Sequence, residues 1–187
     1  MNPKRLSIAL FIITISVFCF ADQKPAINIP DIPGFKTLKC DFHTHTVFSD
    51  GDVWPTVRVK EAYREGLDAI AITDHIEYRP KTKDFISDHN YGYNQAIAEA
   101  KKLDIILIHG SEITRSTPPG HYNAIFLQDS NPLDTGETLS SSEQAKLQNA
   151  FIVWNHHAWK GSENGQWADI QDLLYSKNSL NGIEVLN

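Results

Sequence analysis

The chain has 187 residues, 41% of them hydrophobic, and a formal net charge of −6 at pH 7. This length allows one domain with a hydrophobic core of its own. An acidic chain is a poor match for general nucleic-acid binding, because phosphate backbones require clustered Lys and Arg. We therefore expect no nucleic-acid partner.

The amino terminus has the features of a secretory signal peptide. A basic n-region precedes an apolar run at residues 6–20, which is too short to span a bilayer comfortably, and Ala21 suits cleavage. An uncleaved anchor and a lipoprotein attached through Cys19 are the alternatives. We expect residues 1–21 to be removed, leaving a secreted or periplasmic protein without a stable membrane anchor.

Cleavage would change both the charge and the cysteine content. Without residues 1–21 the chain keeps 15 Lys and Arg against 23 Asp and Glu, a net charge of about −8. Cys40 would be the one remaining cysteine, so no intrachain disulfide could form despite an oxidising destination. Stability must then come from the core or from bound metal.

Residues 22–36 contain three prolines and are predicted to form an extended arm before a domain at residues 37–187. In this domain short apolar runs alternate with amphipathic segments, which is the signature of βαβ units. The predicted strands lie at residues 38–42, 68–72, 105–108, 122–127, 151–154 and 182–185. The predicted helices lie at residues 52–65, 88–103, 140–150 and 167–175.

Residues that can bind metal cluster around the predicted strand ends. His43 and His45, at i and i+2, lie on one side of an extended chain and can bind one cation, with Asp50 close by. In a parallel α/β barrel the carboxyl ends of the strands meet on one face, so scattered ligands become neighbours. The full candidate set is His43, His45, Asp50, His75, Glu112, His121 and His156.

Imidazole and carboxylate groups without thiolates favour Zn, Mn or Fe over a cysteine-type structural zinc site. The alternative is a fold with unrelated polar loops. Seven such residues around five strands are hard to explain by solvation alone. We therefore expect divalent metal ions to be bound there.

The motifs resemble those of the polymerase-and-histidinol-phosphatase (PHP) family of metal-dependent phosphoesterases, over roughly residues 38–187. The first two motifs together are specific, whereas a single Gly-x-Glu would not be. The matching segments are Asp-Phe-His-Thr-His-Thr at 41–46 with Ser-Asp-Gly at 49–51, Ile-Thr-Asp-His at 72–75, Gly-Ser-Glu at 110–112, Gly-His at 120–121 and Asn-His at 155–156.

This resemblance implies an α/β fold, a distorted (β/α)7 TIM-like barrel that holds two or three divalent metal ions. By position, Glu112 would bridge two ions, one of them bound also by His43 and His45. His121 and His156 would bind the second ion. The family usually supplies a further Asp-x-His after another strand, and this sequence has no residues for that part. We therefore expect the last strand or strands to be missing from this chain.

The resemblance also assigns the remaining residues. His75 would bind a third ion, with Asp50 as the weaker candidate ligand for that ion. Bound cations lower the pKa of a water and clamp phosphate oxygens, so that hydroxide can attack phosphorus in line with the leaving group. Arg115 can contact a phosphate oxygen, with a solvent-facing side chain as the alternative. The catalytic candidates are therefore Glu112 and Arg115, and Asp74 can orient a ligand histidine.

Together with the signal peptide, these motifs are similar to a secreted, phosphodiesterase branch of the family. The first interpretation is a secreted hydrolase of small organic phosphodiesters, and also of monoesters. The alternatives are a phosphomonoesterase of the histidinol-phosphatase type, a polymerase proofreading module and a non-catalytic metal-binding fragment of a longer protein. Export disfavours the first two alternatives. An open barrel would expose strand edges, so we also expect poor solubility.

Overall fold

A computed structural model describes residues 23–81, 83–84, 87–116, 119–158 and 166–186. The predicted signal peptide lies outside these residues, so its presence stays a prediction. Within the described ranges no helix is both long and apolar enough to cross a membrane.

The described residues form six strands and four α-helices, the numbers that the sequence predicts. The strands are β1 (Cys40–Asp41), β2 (Ala69–Ile72), β3 (Ile106–Ser116), β4 (Pro119–Ile125), β5 (Phe151–Trp154) and β6 (Gly182–Ile183). The helices are α1 (Pro55–Arg64), α2 (Tyr91–Leu103), α3 (Thr138–Leu147) and α4 (Asp169–Ser176), with a 3₁₀ turn at Asn131–Leu133.

The six strands form one mixed sheet in the order β1-β2-β3-β4-β5-β6. β1, β2 and β3 are parallel to one another, and β5 is parallel to β6, but β4 is antiparallel to both of its neighbours. The prediction of an all-parallel arrangement is therefore wrong at β4. The reason is length: two residues separate β3 from β4, whereas a parallel crossover needs a dozen or more.

The sheet is curled into a half-barrel, with β1 and β6 as its edges among the described residues. A seventh strand that would close the predicted (β/α)7 barrel is not found in this part of the chain. The structure thus supports the α/β class and the curled sheet, while the complete barrel stays an expectation from the resemblance.

Two layers of apolar packing hold the helices on the outside of the sheet. Ile70 and Ile72 of β2 pack against Ala96 and Ala100, one helical turn apart on α2. On the other half of the sheet, Ile152 of β5 belongs to a separate buried cluster with residues of α3 and α4. The helices therefore cover one face, and the loops at the strand ends remain free to carry polar groups.

Asp68, just before β2, ties the amino-terminal arm to the domain. Its carboxylate lies 2.7 Å from Lys39 Nζ and 3.1 Å from Lys24 Nζ, and it accepts the backbone N–H of Lys39 at 3.0 Å. The side-chain and backbone hydrogen bonds from Lys39, and then the contact with Lys24, hold the pKa of Asp68 well below its usual value. The ionised carboxylate therefore stabilises the folded chain.

We expect Asp68→Asn to lower the free energy of unfolding by about 1 kcal/mol at pH 7, the size of a partly exposed ion pair with a hydrogen bond. Because the folded pKa is depressed, this contribution is complete above the unfolded carboxyl pKa of about 3.9 and disappears as the pH falls through the folded pKa. Urea unfolding of both variants at several pH values measures it. A difference that grows towards low pH would contradict this assignment.

Candidate metal centre

Glu112 lies inside β3, and its side chain is completely buried. Five imidazole rings surround its carboxylate. The shortest distances to Oε2 are 3.0 Å from His43 Nε2, 3.1 Å from His45 Nε2 and 3.6 Å from His75 Nδ1, and those to Oε1 are 2.7 Å from His121 Nδ1 and 3.6 Å from His156 Nε2. One carboxylate therefore stands at the centre of nearly the whole predicted ligand set.

The strand directions explain why residues so far apart in sequence meet here. His43 and His45 follow β1, and His156 follows β5, so all three lie beyond the carboxyl ends of strands. His75 follows β2 and forms an isolated parallel bridge with Glu112. His121 is different, since it lies near the start of β4. Because β4 is antiparallel, its amino end meets the carboxyl ends of its neighbours.

The donor atoms fall into three groups, and within each group they lie within 4.8 Å of one another. The division follows the predicted allocation, with His45 as an additional member of the third group. The groups are His43, His45 and Glu112; Glu112, His121 and His156; and His45, Asp50 and His75. Glu112 belongs to two of them, which is the arrangement needed for a carboxylate that bridges two ions.

Asp50 is the most exposed member of the set, with 40% of its side chain accessible. Its Oδ2 lies 3.5 Å from His75 Nε2, and its Oδ1 lies 3.7 Å from His45 Nδ1. These distances place it at the third group, where the sequence predicted it as the weaker ligand.

The electrostatics of the centre demand positive charge next to Glu112. Burial acts to raise the pKa of this carboxyl, but hydrogen bonds from the surrounding histidines outweigh burial and hold the pKa well below its usual range. At His43 burial acts to lower the pKa, yet the carboxylates of Glu112 and Glu184 raise it to about 9. Divalent cations bound by neutral imidazoles supply the same positive charge, so the donor set fits metal ions.

Glu184 is a site residue that sequence reasoning missed. Its Oε1 accepts from His43 Nδ1 at 2.9 Å, and its Oε2 accepts the backbone N–H of His156 at 2.7 Å. His156 has a φ of 23°, in a region that non-glycine residues rarely occupy, so this hydrogen bond holds a strained backbone. The predicted strand at residues 182–185 enclosed Glu184, so no strand-end position singled it out, whereas in the structure it directly follows β6, which ends at Ile183.

Asp74 has a different role from the predicted one, because it orients no ligand histidine directly. Its Oδ1 accepts the Thr46 backbone N–H at 2.6 Å and the Ser49 hydroxyl at 2.7 Å, and its Oδ2 accepts the Thr46 hydroxyl at 2.6 Å. Asp74 therefore fixes the loop that follows His45 and leads to Asp50.

Replacing Asp74 with asparagine should destabilise this loop. An amide keeps one acceptor oxygen and loses the other, so we expect a loss of about 1–2 kcal/mol in the free energy of unfolding. Urea denaturation with and without added Mn²⁺ would measure the effect on the fold and on the metal site. Gly92→Ala is a companion test, since its new Cβ would lie 2.6 Å from Asp74 Oδ2. Wild-type stability in both variants would contradict this role.

The centre opens into a cavity of about 870 Å³. Arg115 lines it, but its Nη2 also lies 2.7 Å from Glu77 Oε1, so the guanidinium is already part of an ion pair. Burial raises the pKa of Glu77 to about 7, against the lowering effects of the Thr114 N–H and Arg115. The cavity is lined by His43, His45, Asp50, His75, Glu77, Tyr78, Thr114, Arg115, Ser116, His121 and His156.

A curled mixed sheet gathers five histidines and a buried glutamate at one end, which defines an α/β protein with a candidate metal centre. The sequence pattern of the PHP domain matches residues 41–184, and the chain therefore belongs to the PHP family. This confirms the resemblance drawn from the motifs.

Solved structures agree with this assignment. The chain is 52% identical to a two-domain protein from Bacteroides vulgatus that contains a predicted PHP-like metal-dependent phosphoesterase, with a TM-score of 0.84 over 87% of this chain and 48% of that one. A Bifidobacterium adolescentis protein, also assigned by prediction to the metal-dependent phosphoesterases, has a TM-score of 0.63 at 17% identity over 80% of this chain and 78% of that one. The second likeness shows the fold alone.

Among curated proteins, an uncharacterized Methanocaldococcus jannaschii protein is 42% identical over 83 residues, which is 43% of this chain and 36% of that protein. A 5'-3' exoribonuclease of Haemophilus influenzae is 36% identical over 78 residues, 42% of this chain and 24% of that enzyme. The chain thus spans well under two thirds of these relatives, and under half of the Bacteroides protein.

Proposed function

We propose that this chain is a secreted, metal-dependent phosphoesterase that hydrolyses small organic phosphodiesters. The observation that carries the proposal is Glu112, a buried carboxylate shared by two adjacent groups of metal donors whose histidines line the cavity. A carboxylate in this position can tie two cations together, and paired cations are a recurrent solution for phosphate ester hydrolysis.

The metal ions, when bound, would lower the pKa of a water and neutralise charge on the phosphate. Imidazole and carboxylate donors without thiolates favour Zn, Mn or Fe, and the three donor groups allow two or three ions. The protein side chains hold these ions in place. Glu112 would hold two of them at a fixed spacing, and Arg115 would contact a phosphate oxygen from the cavity wall.

Support for a diester comes from the Haemophilus influenzae relative, whose name describes an exoribonuclease. The net charge of this chain disfavours a polymeric nucleic-acid substrate, since phosphate backbones require basic surfaces. A small phosphodiester satisfies both observations. Export rests on the predicted signal peptide at residues 1–21 and disfavours the histidinol-phosphatase type of monoesterase.

The test uses the purified chain, loaded with Mn²⁺ or Zn²⁺ and then dialysed. Elemental analysis gives the metal content per chain, and hydrolysis of bis-p-nitrophenyl phosphate and p-nitrophenyl phosphate gives the preference between diester and monoester. We expect two or more retained ions and a higher kcat/KM for the diester.

The alternatives predict different results. A faster reaction with the monoester would favour a phosphomonoesterase. One loosely held ion, or none, without hydrolysis of either compound would mean a metal-binding fragment whose centre is completed by further residues. Recovery of the mature chain in a periplasmic or culture fraction checks the export, and recovery of an uncleaved chain in the cytoplasm would contradict it.

A further inference from the structure

Glu77 is a charged residue at the cavity wall to which the proposed reaction assigns no role. Its Oε1 lies 2.7 Å from Arg115 Nη2, and its Oε2 accepts the backbone N–H of Thr114 at 2.6 Å. The two charged side chains are mostly buried, with 17% of Glu77 and 14% of Arg115 accessible. One carboxylate therefore contacts both the guanidinium and the backbone of the strand that carries it.

A free arginine side chain samples many rotamers, and a cation that contacts substrate must lose that freedom when the substrate binds. The ion pair with Glu77 removes much of this rotamer freedom before the substrate binds. In the described part of the chain, Arg115 Nε and Nη2 are buried and form no hydrogen bond of acceptable geometry. Their compensation is the adjacent negative charge of Glu77, because a buried charge needs a partner.

The Glu77 carboxylate also forms a hydrogen bond with the backbone of β3. Thr114, whose N–H it accepts, lies between Glu112 and Arg115 on this strand and places its hydroxyl 2.5 Å from His75 Nδ1. Glu77 thus fixes the strand at the point where the metal centre ends and the wall of the substrate cavity begins.

We propose that Glu77 is a positioning residue that holds the guanidinium of Arg115 ready to bind the phosphate of the substrate. This rests on the proposed function, in which Arg115 contacts a phosphate oxygen. Glu77 would act through Arg115, and it would not itself touch the phosphate, since both groups are anionic.

The test measures binding of inorganic phosphate to the metal-loaded chain by calorimetry. We compare Glu77→Gln, Arg115→Ala and the double variant, with Glu143→Gln as a control whose carboxylate pairs with Lys177 on the surface. We expect Arg115→Ala to weaken phosphate binding roughly 10- to 100-fold, as for a lost charge-assisted hydrogen bond. Glu77→Gln should weaken it in the same range, and the double variant should be no weaker than Arg115→Ala.

Three results would overturn the proposal. They are phosphate affinity in Glu77→Gln equal to that of the control, additive losses in the double variant, and a loss of metal from Glu77→Gln as large as that from His75→Ala, which would mean that Glu77 acts on His75 instead.

A second measurement is independent of the reaction. In the ¹⁵N-labelled chain, relaxation of the Arg115 Nε–H group should give a lower order parameter in Glu77→Gln than in the wild type, because the guanidinium regains rotamer freedom. A wild-type chain that binds no phosphate would overturn the proposed function, while an unchanged order parameter would overturn the role of Glu77.

Discussion

Replacing Glu112 with glutamine is expected to have the largest effect of any single substitution in this chain. The amide removes the negative charge that faces five imidazole rings, and it cannot bridge two cations as a carboxylate does. Loss of one partner from a buried charge cluster costs about 3–5 kcal/mol, so we expect roughly 10²- to 10⁴-fold weaker metal binding. Hydrolysis of bis-p-nitrophenyl phosphate should fall by at least the same factor.

Metal content after dialysis, metal titration and hydrolysis rates measure this effect. Glu143→Gln makes the same chemical change at a carboxylate that is 48% exposed and contacts Lys177, and it should behave as the wild type. If Glu112→Gln kept two ions per chain after dialysis, Glu112 would not be a bridging ligand and the arrangement proposed for the centre would be wrong.

Glu184→Gln is expected to have the second largest effect. The Glu184 carboxylate accepts one hydrogen bond from the ring of His43 and another from the backbone N–H of His156. An amide can keep only one of these two hydrogen bonds. With its Nδ1 proton held by Glu184, His43 presents Nε2 to Glu112 and to a bound ion. Supporting contacts of this kind are worth roughly 10- to 100-fold in metal affinity or activity.

Titration of the metal-free chain with Zn²⁺ or Mn²⁺ would show the weakened affinity directly. The adjacent residue offers a control, since Val185 is 78% exposed and Val185→Ala should bind metal as the wild type does. Glu184→Asp should recover less than the wild-type affinity, because a shorter side chain cannot reach both histidines. Unchanged affinity in Glu184→Gln would mean that the strand after β5 carries no part of the centre.

Much of the fold followed from local pattern. The apolar run at β2 predicted a buried strand, and the amphipathic segment at residues 88–103 predicted the helix α2. The direction of β4 could not be predicted in this way, because an antiparallel strand has the same local pattern as a parallel one. The third strand was predicted to end at Ile108 and the fourth to begin at Tyr122, which left 13 residues between them, whereas β3 continues to Ser116 and β4 begins at Pro119.

The starts of the helices were also less predictable than their existence. The first helix was predicted from residue 52, but α1 begins at Pro55, and the preceding Trp54 makes no side-chain capping hydrogen bond. Pro55 is enough to begin the helix because its φ is already helical. Similarly, Ser140 was predicted to open α3, which begins at Thr138.

The sequence by itself determined which side chains can bind metal. Paired histidines on an extended chain, and acids or histidines around strand ends, carry their chemistry in residue type and spacing, so all seven candidates could be named. Only the tertiary structure decided how these side chains are arranged around one another. The curl of the sheet and the reversal of β4 bring Glu112 and His121 to 2.7 Å, and place Glu184 behind His43 across 141 positions of sequence. Contacts of that separation depend on strand order and direction, which no local pattern encodes.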